Sequence, residues 1–477
     1  MVQSKDRPTS SETGVRRERQ PASEPTLRAG ALKLPSVLMQ GITHIAPAVG
    51  IILTLQLITS HAGVTAPLAY LIAFVIVLTL GLSLTQLAKH LASAGGYYTY
   101  VSRTVHPRAG FLTAWLYFLY DPTAAAINLA FMGYFVQGTL KAEYGVSFPW
   151  WLFVVTGTAL ITFLVYYGVE ISARTMVALG VAEIAIVVGL ALTGLFRPGT
   201  GGINFHSYNP VNASSANGLY LGVVFSIFAF SGFESVAPLA EESQDPQRNL
   251  PLSIIGSILL MGAFYLFCSW ALLIGWGTND LGSLVRSVEN PTFLLGKRLW
   301  RGGWVLLFVA VINSILAVSI AGTNAATRVF FAMGRAGSLP KLLARVHPRY
   351  QTPVNAIWFQ TFLTLGVGLG LGLWIGPDQE FYFMGVAITL GLVLIYGAGN
   401  LGVYLYYKTQ RRSEFNSWLH LFFPLLSTTA LLWVGYKSVV PLPPAPVKYA
   451  PWLLVAWLAL GLALSIALPR FGKGGSA

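Results

Sequence analysis

The sequence predicts an all-α polytopic membrane protein of about twelve transmembrane helices, built as a 5+5 inverted repeat with discontinuous helices 1 and 6. Three observations carry this. Of 477 residues, 55% are apolar and only 10% charged, whereas soluble domains carry about 25% charged residues. Apolar runs of about 20 residues recur along the chain, each long enough to cross a bilayer as a helix. Two of these runs, five helices apart, contain helix-breaking residues near mid-span: Ala46-Pro47-Ala48 and Ser231-Gly232.

Residues 1–34 form a tail. Most of it is rich in Ser, Pro, Arg and Glu, a composition that cannot bury enough apolar surface to fold, so disorder is expected. No apolar core follows its basic start, which argues against a cleavable signal peptide. Apolar segments follow at about 36–60, 64–90, 109–138, 149–168, 174–196, 217–241, 250–276, 302–331, 354–375, 380–406, 417–437 and 450–469. The first ten make a core over 35–410, the last two lie in 411–470, and 471–477 is a C-terminal tail.

Orientation follows from the Lys/Arg bias of the loops. With both termini in the cytoplasm, 22 basic residues fall on that side and 8 on the other. The 276–301 loop, with Arg286, Lys297, Arg298 and Arg301, runs against the trend. The expected location is the plasma (inner) membrane. Tyr97-Tyr98, Tyr100, Trp150-Trp151, Trp300, Trp304, Tyr404 and Tyr406-Tyr407 fall at segment ends, as an interfacial aromatic belt does.

The net charge of +13 sits in loops and tails, so no nucleic-acid partner is expected. The single cysteine, Cys268, lies in an apolar run and reads as a small buried hydrophobe. The sequence lacks the His-Glu-x-x-His zinc motif, the Gly-x-Ser-x-Gly elbow and the phosphate-binding lysine loop. No metal and no cofactor are expected, and an enzyme is disfavoured. A channel or sensor remains the other alternative, although no pore-ring motif repeats.

Proline removes a backbone donor and clashes with the preceding turn, and glycine costs about 1 kcal/mol inside a helix. Breaks at Pro47 and at Ser231-Gly232 are therefore expected to be built in. Unwound backbone survives in a membrane only where protein or a water-filled cavity satisfies it. Paired breaks in two halves are the best pointer to a transporter's binding site.

Three stretches carry a family resemblance. FAFSGFESVAPLAEESQDPQRNLPLSI (228–254) resembles an aromatic-Gly-Phe-Glu break followed by an acidic, Pro- and Asn-containing turn. GGYYTYVSR (95–103) and NAATRVFFAMGRAGSLPKLLARVHPRYQTPVNAI (324–357) resemble two inter-helix connections. Together they resemble the amino acid–polyamine–organocation (APC) permeases, which have the leucine-transporter (LeuT-type) fold. The likeness spans most of the chain after residue 34. It implies a secondary active transporter of an amino acid or related amine, working by alternating access as a proton-coupled symporter or exchanger, with Na⁺ as the other coupling ion. The family's first break is Gly-small-Gly, whereas here it is Ala46-Pro47-Ala48, and proline has no N–H to offer a carboxylate.

Candidate substrate contacts are His44, Ile45, Ala46, Pro47, Ala48 and Gly50 at the first break, with Phe228, Phe230, Ser231 and Gly232 at the second. The resemblance implies an aromatic lid, assigned to Phe228. Asp121, in FLYDPTAAAIN, would face a cationic substrate or cap the helix restarting at Pro122. A carboxylate inside the bilayer costs at least ~2.5 kcal/mol, which favours a functional role. Glu234 either serves the pathway and its proton or anchors two half-helices. Glu183 aligns with a position where relatives of this type carry a lysine in place of sodium, between helices 1, 5 and 8. A carboxylate there would bind a cation or carry the proton, or else make a structural hydrogen bond to a neighbouring helix. Ser319 and Thr323 are candidate coupling ligands, although Ser and Thr serve as often to join helices.

Overall fold

The computed structural model describes residues 26–467, so residues 1–25 and 468–477, including the tail 471–477, lie outside the described residues. The described chain is helical, with no strand beyond two isolated bridges. In order the α-helices are α1 (Leu34–Ile45), α2 (Pro47–Ile52), α3 (Leu55–Ala62), α4 (Ala66–Ala88), α5 (Tyr97–Thr104), α6 (Pro107–Tyr117), α7 (Asp121–Tyr144), α8 (Trp150–Tyr166) and α9 (Val169–Phe196). There follow α10 (Ala216–Ala229), a 3₁₀ segment (Phe233–Glu242), α11 (Pro246–Trp276), α12 (Leu281–Arg286), α13 (Pro291–Trp300) and α14 (Val305–Arg335). The chain closes with α15 (Val354–Ile375), α16 (Pro377–Thr409), α17 (Phe423–Lys437) and α18 (Ala450–Ala467). Proline opens many of these helices, because its missing N–H costs nothing in the first turn.

Ten helical stretches among the described residues are long and apolar enough to cross a membrane. Two expected segments fall short of that test for physical reasons. The fourth, α8, has only 17 residues. The third is split into α6 and α7, because Pro122 would clash with the carbonyl four residues back and the chain turns over Phe118–Tyr120; α7 is long enough at 24 residues, but Asp121, Asn128, Gln137, Lys141 and Glu143 make it too polar.

Both expected breaks are present. Ala46 adopts a left-handed conformation, φ 57° and ψ 71°, and Pro47 opens α2. A non-glycine residue there costs about 1–2 kcal/mol, and Gly50 N–H donates to the Ala46 carbonyl at 2.8 Å to hold it. Gly232 has φ 120°. Beyond it the chain continues as ten residues of 3₁₀ rather than α-helix, with Pro238 inside. The sixth expected segment, 217–241, is thus α-helical only as far as Ala229.

Gly232 is also where the two breaks touch, since a Cβ there would lie 2.7 Å from the carbonyl carbon and oxygen of His44. Gly232→Ala is expected to lower the melting temperature, because both φ and space exclude a methyl. Gly366→Ala on α15, where nothing lies within 4 Å, is the neutral comparison. Melting of both variants in detergent checks this.

α1 packs against α9, α11 and α14, and α14 also against α7, so the first break is enclosed by protein. Two expectations fail around this core. Residues 26–33, assigned to the disordered tail, instead dock: Leu27 is buried beside Ala94 and Phe331, and Arg28 pairs with Glu170 at 3.3 Å. Leu32 N–H donates to the Glu242 carbonyl at 2.9 Å. Tyr97, Tyr100, Trp304, Tyr406 and Tyr407 are buried rather than set in an interfacial belt.

Candidate substrate site at the helix breaks

The site grows from the backbone that the breaks expose. Where α1 and α10 end, the carbonyls of Ile45 and Ala229 have no next helical turn to bond. One side chain meets both: the Tyr265 hydroxyl of α11 lies 3.0 Å from Ala229 O and 3.3 Å from Ile45 O. Tyr265 is fully buried, and Phe230 packs edge-on against it at 5.0 Å. Gln40 ties α1 to the next layer by donating to the Ala321 carbonyl at 2.8 Å.

Past the first break, the N–H groups opening α2 are taken. Ala48 N–H donates to Glu183 Oε2 at 3.1 Å, Val49 N–H to Ser314 Oγ at 3.4 Å, and Gly50 N–H to Ala46 O. Pro47 has none. Glu183, mid-way along α9 and fully buried, thus reaches the broken helix 135 residues away in sequence.

His44, in the last turn of α1, faces α7. Its Nε2 stands 3.1 Å from Asp121 Oδ1, both side chains being almost fully buried. Asp121 sits at the first position of α7, where the positive helix end favours an anion. Its other oxygen accepts a hydrogen bond from the Tyr117 hydroxyl. Tyr120 stacks on the His44 ring at 5.8 Å. Glu234, at the start of the 3₁₀ segment, accepts from Gly232 N–H at 3.1 Å and lies within charge–charge reach of His44 and Asp121. His44, Asp121, Glu234 and Gly232 thus form one buried cluster.

Other expected contacts fall elsewhere. Phe228 is 37% exposed, and it and Ser231 line an apolar cavity with Val77, Leu392 and Leu431. In this conformation Phe228 does not cover the cluster, because its ring is packed among those apolar side chains instead. The Ser319 hydroxyl is spent on its own helix, donating to Ile315 O at 2.7 Å. Thr323 lines a different cavity, beside Ala125 and Thr158. Neither joins Glu183. Among the described residues no three His, Cys, Asp or Glu side chains converge as a metal site. Tyr117, Tyr120, Ser314 and Tyr265 were not singled out from sequence. Tyr117 and Tyr120 had one usable signal, their position just before the Asp121-Pro122 restart.

A second buried polar centre lies at the end of the bundle that carries residues 26–33. Arg328 of α14 donates to both Glu242 oxygens, at 2.7 and 3.1 Å, and to Asn324 Oδ1 at 3.2 Å. The pair is essentially inaccessible.

A model of the family described as amino acid permease matches residues 36–467. The low-affinity putrescine importer PlaP of Escherichia coli K12 is 26% identical, over 85% of this chain and 88% of its own. The branched-chain amino acid permease BcaP of Bacillus subtilis is 25% identical over 66% and 68% of the two chains. The serine/threonine exchanger SteT of the same species is 27% identical over 62% and 66%. With the family match running from the start of α1 to the end of α18, this chain belongs to the amino acid permease family of the APC superfamily.

Proposed function

We propose that this protein is a proton-coupled secondary transporter of an amino acid or related amine, working by alternating access about the two breaks. The observation that carries the reading is the meeting of both interrupted helices at one buried cluster of His44, Asp121 and Glu234, with Glu183 bonded to the first break. Intramembrane carboxylates of this kind face substrate or ion paths. The relatives, an importer of a diamine and carriers of amino acids, support the same substrate range.

In this reading twelve spans form a LeuT-type 5+5 inverted repeat, with α17 and α18 outside it and both termini cytoplasmic in the plasma (inner) membrane. Substrate lies between the breaks. Asp121 and Glu234 receive its ammonium, and the Arg328–Glu242 pair closes the cytoplasmic side. Glu183 carries the coupling proton: protonated, it removes a buried charge and lets α1 and α14 close on α9.

Uptake of labelled amino acids and amines into proteoliposomes, with and without an inward proton gradient, tests the reading. Accumulation that depends on the gradient is expected; absence of any carrier-mediated flux overturns it. Asp121→Asn is expected to weaken cationic substrates on the order of tenfold or more, the worth of a charged hydrogen bond. Neutral substrates should change far less. Equal loss in competition assays for both classes would make Asp121 structural.

A further inference from the structure

One buried carboxylate takes no part in the cluster at the breaks. Glu380 lies in the first turn of α16, which follows α15 after the single residue Gly376. α15 has 22 residues, so it carries the chain roughly 33 Å away from the loop that packs on Leu27 through Val346. Glu380 therefore sits at the end of the bundle opposite residues 26–33, the outer end in the transport reading.

Glu380 is fully buried, and it is the one carboxylate among the described residues whose two oxygens are both buried and unbonded by the chain. The carboxylates near the breaks each have a donor: Ala48 N–H for Glu183, Gly232 N–H for Glu234 and the Tyr117 hydroxyl for Asp121. A Cβ on Gly372 would lie 2.5 Å from the Trp150 ring and 3.0 Å from Glu380 Oε2. Carboxyl, indole and glycine thus border one point between α8, α15 and α16.

No charge balances Glu380. α15 has no charged or titratable residue, and α8 has only Tyr166 at its far end. At the outer end α7 brings Tyr134, Lys141, Glu143 and Tyr144, and α16 itself brings Asp378 and Tyr382. The segments around α17 and α18 bring Tyr436, Lys437, Lys448 and Tyr449. All of these are exposed or half-buried, and none bonds Glu380 or acts on it as a charge. A lone carboxylate out of water is costly unless it is paired or neutral. A metal cation would ask for several oxygen ligands, and neither the indole ring nor Gly372 Cα brings one. The ligand these surroundings suit is a proton.

We propose that Glu380 is a proton-binding site separate from the helix breaks, and that α16 keeps this position only while the proton is held. The proposal rests on the transport reading and adds a regulator to it, acidity at the outer end. Once ionised, Glu380 has to reach water, so the first turns of α16 swing away from α8 and α15. Tyr396 lies sixteen residues further along the same helix, roughly 24 Å, and its ring stacks on Phe233 at 6.1 Å, next to Glu234. A swing at the outer end is thereby carried to the cluster. Acid holds the outer end closed, and alkali frees it.

Hydrogen exchange of the backbone amides of residues 380–384, in the full chain in proteoliposomes across a range of pH, tests this. The first of these amides is bonded in the closed form, Glu380 N–H donating to Gly376 O at 2.9 Å. If each opening releases one proton, the open fraction should rise about tenfold per pH unit once the intrinsic exchange rate is divided out. Glu380→Gln and Glu380→Met, both permanently neutral, should exchange slowly and show no such rise. Glu183→Gln should keep the rise, because its carboxyl serves the first break. A parent chain without the rise, or a rise that persists in both neutral variants, overturns the proposal. Flux of labelled amino acids and amines is followed in the same vesicles. Absent flux sinks the transport reading, while the exchange data still decide the proton site.

Discussion

Glu183→Gln is expected to abolish accumulation driven by a proton gradient while leaving substrate exchange in place. Glutamine has the shape of a protonated glutamate, and its carbonyl oxygen can keep the bond from Ala48 N–H that Glu183 Oε2 accepts at 3.1 Å. The broken helix therefore stays held. What is lost is a group able to bind and release a proton beside it. An exchanger can cycle loaded in both directions, so it needs no such release. Net uptake needs the unloaded carrier to return, and in the Glu183→Gln variant the charge state that would drive the return no longer alternates. Glu234→Gln should behave differently. Glu234 bonds Gly232 N–H and shares charge with His44 and Asp121, so its loss should alter substrate affinity and its pH dependence. Exchange and gradient-driven uptake measured for both variants separate the roles. A Glu183→Gln protein that still concentrates substrate under a proton gradient alone removes Glu183 from coupling.

Arg328→Ala is expected to destabilise the protein by about 3–5 kcal/mol, the usual cost of stranding one member of a buried ion pair. Glu242 would remain inaccessible with its two strongest donors gone. The loss should spread to residues 26–33, because Leu32 bonds the backbone of Glu242 and Gln244. Arg328→Lys should recover little, since an ammonium cannot fork across both carboxylate oxygens. Replacing both members by apolar residues, as in Arg328→Met with Glu242→Leu, should recover most of the stability, because no uncompensated charge is left. Melting temperatures in detergent for the parent and these three variants check this. A double variant as unstable as Arg328→Ala would show that the cost lies in packing rather than charge.

Several features of this protein are determined by its residues alone. Apolar runs longer than a bilayer needs dictate a helical membrane protein, because backbone groups in lipid must be satisfied within the segment. Pro47 and Gly232 mark the breaks by local chemistry: one lacks a donor, the other reaches φ 120° without a Cβ clash. Asp121, Glu183 and Glu234 stand out because an unpaired charge in a membrane needs a reason.

Which groups those residues meet was decided only by tertiary structure. Nothing local to Glu183 points to Ala48, 135 residues away, nor does anything in His44 point to Asp121 on a different helix. Tyr265 looks like an ordinary apolar-run tyrosine until packing sets its hydroxyl against carbonyls from two helices. The same holds for Phe228, whose place on α10 left its direction open and whose ring lines the apolar cavity rather than the cluster. For Glu183, Tyr265 and Phe228 the physical reason is shared: their helices α9, α11 and α10 are apolar nearly all round, so periodicity names no inward face. The facing of each helix is then chosen by close packing and by the need to satisfy broken backbone, both of which are properties of the assembled bundle.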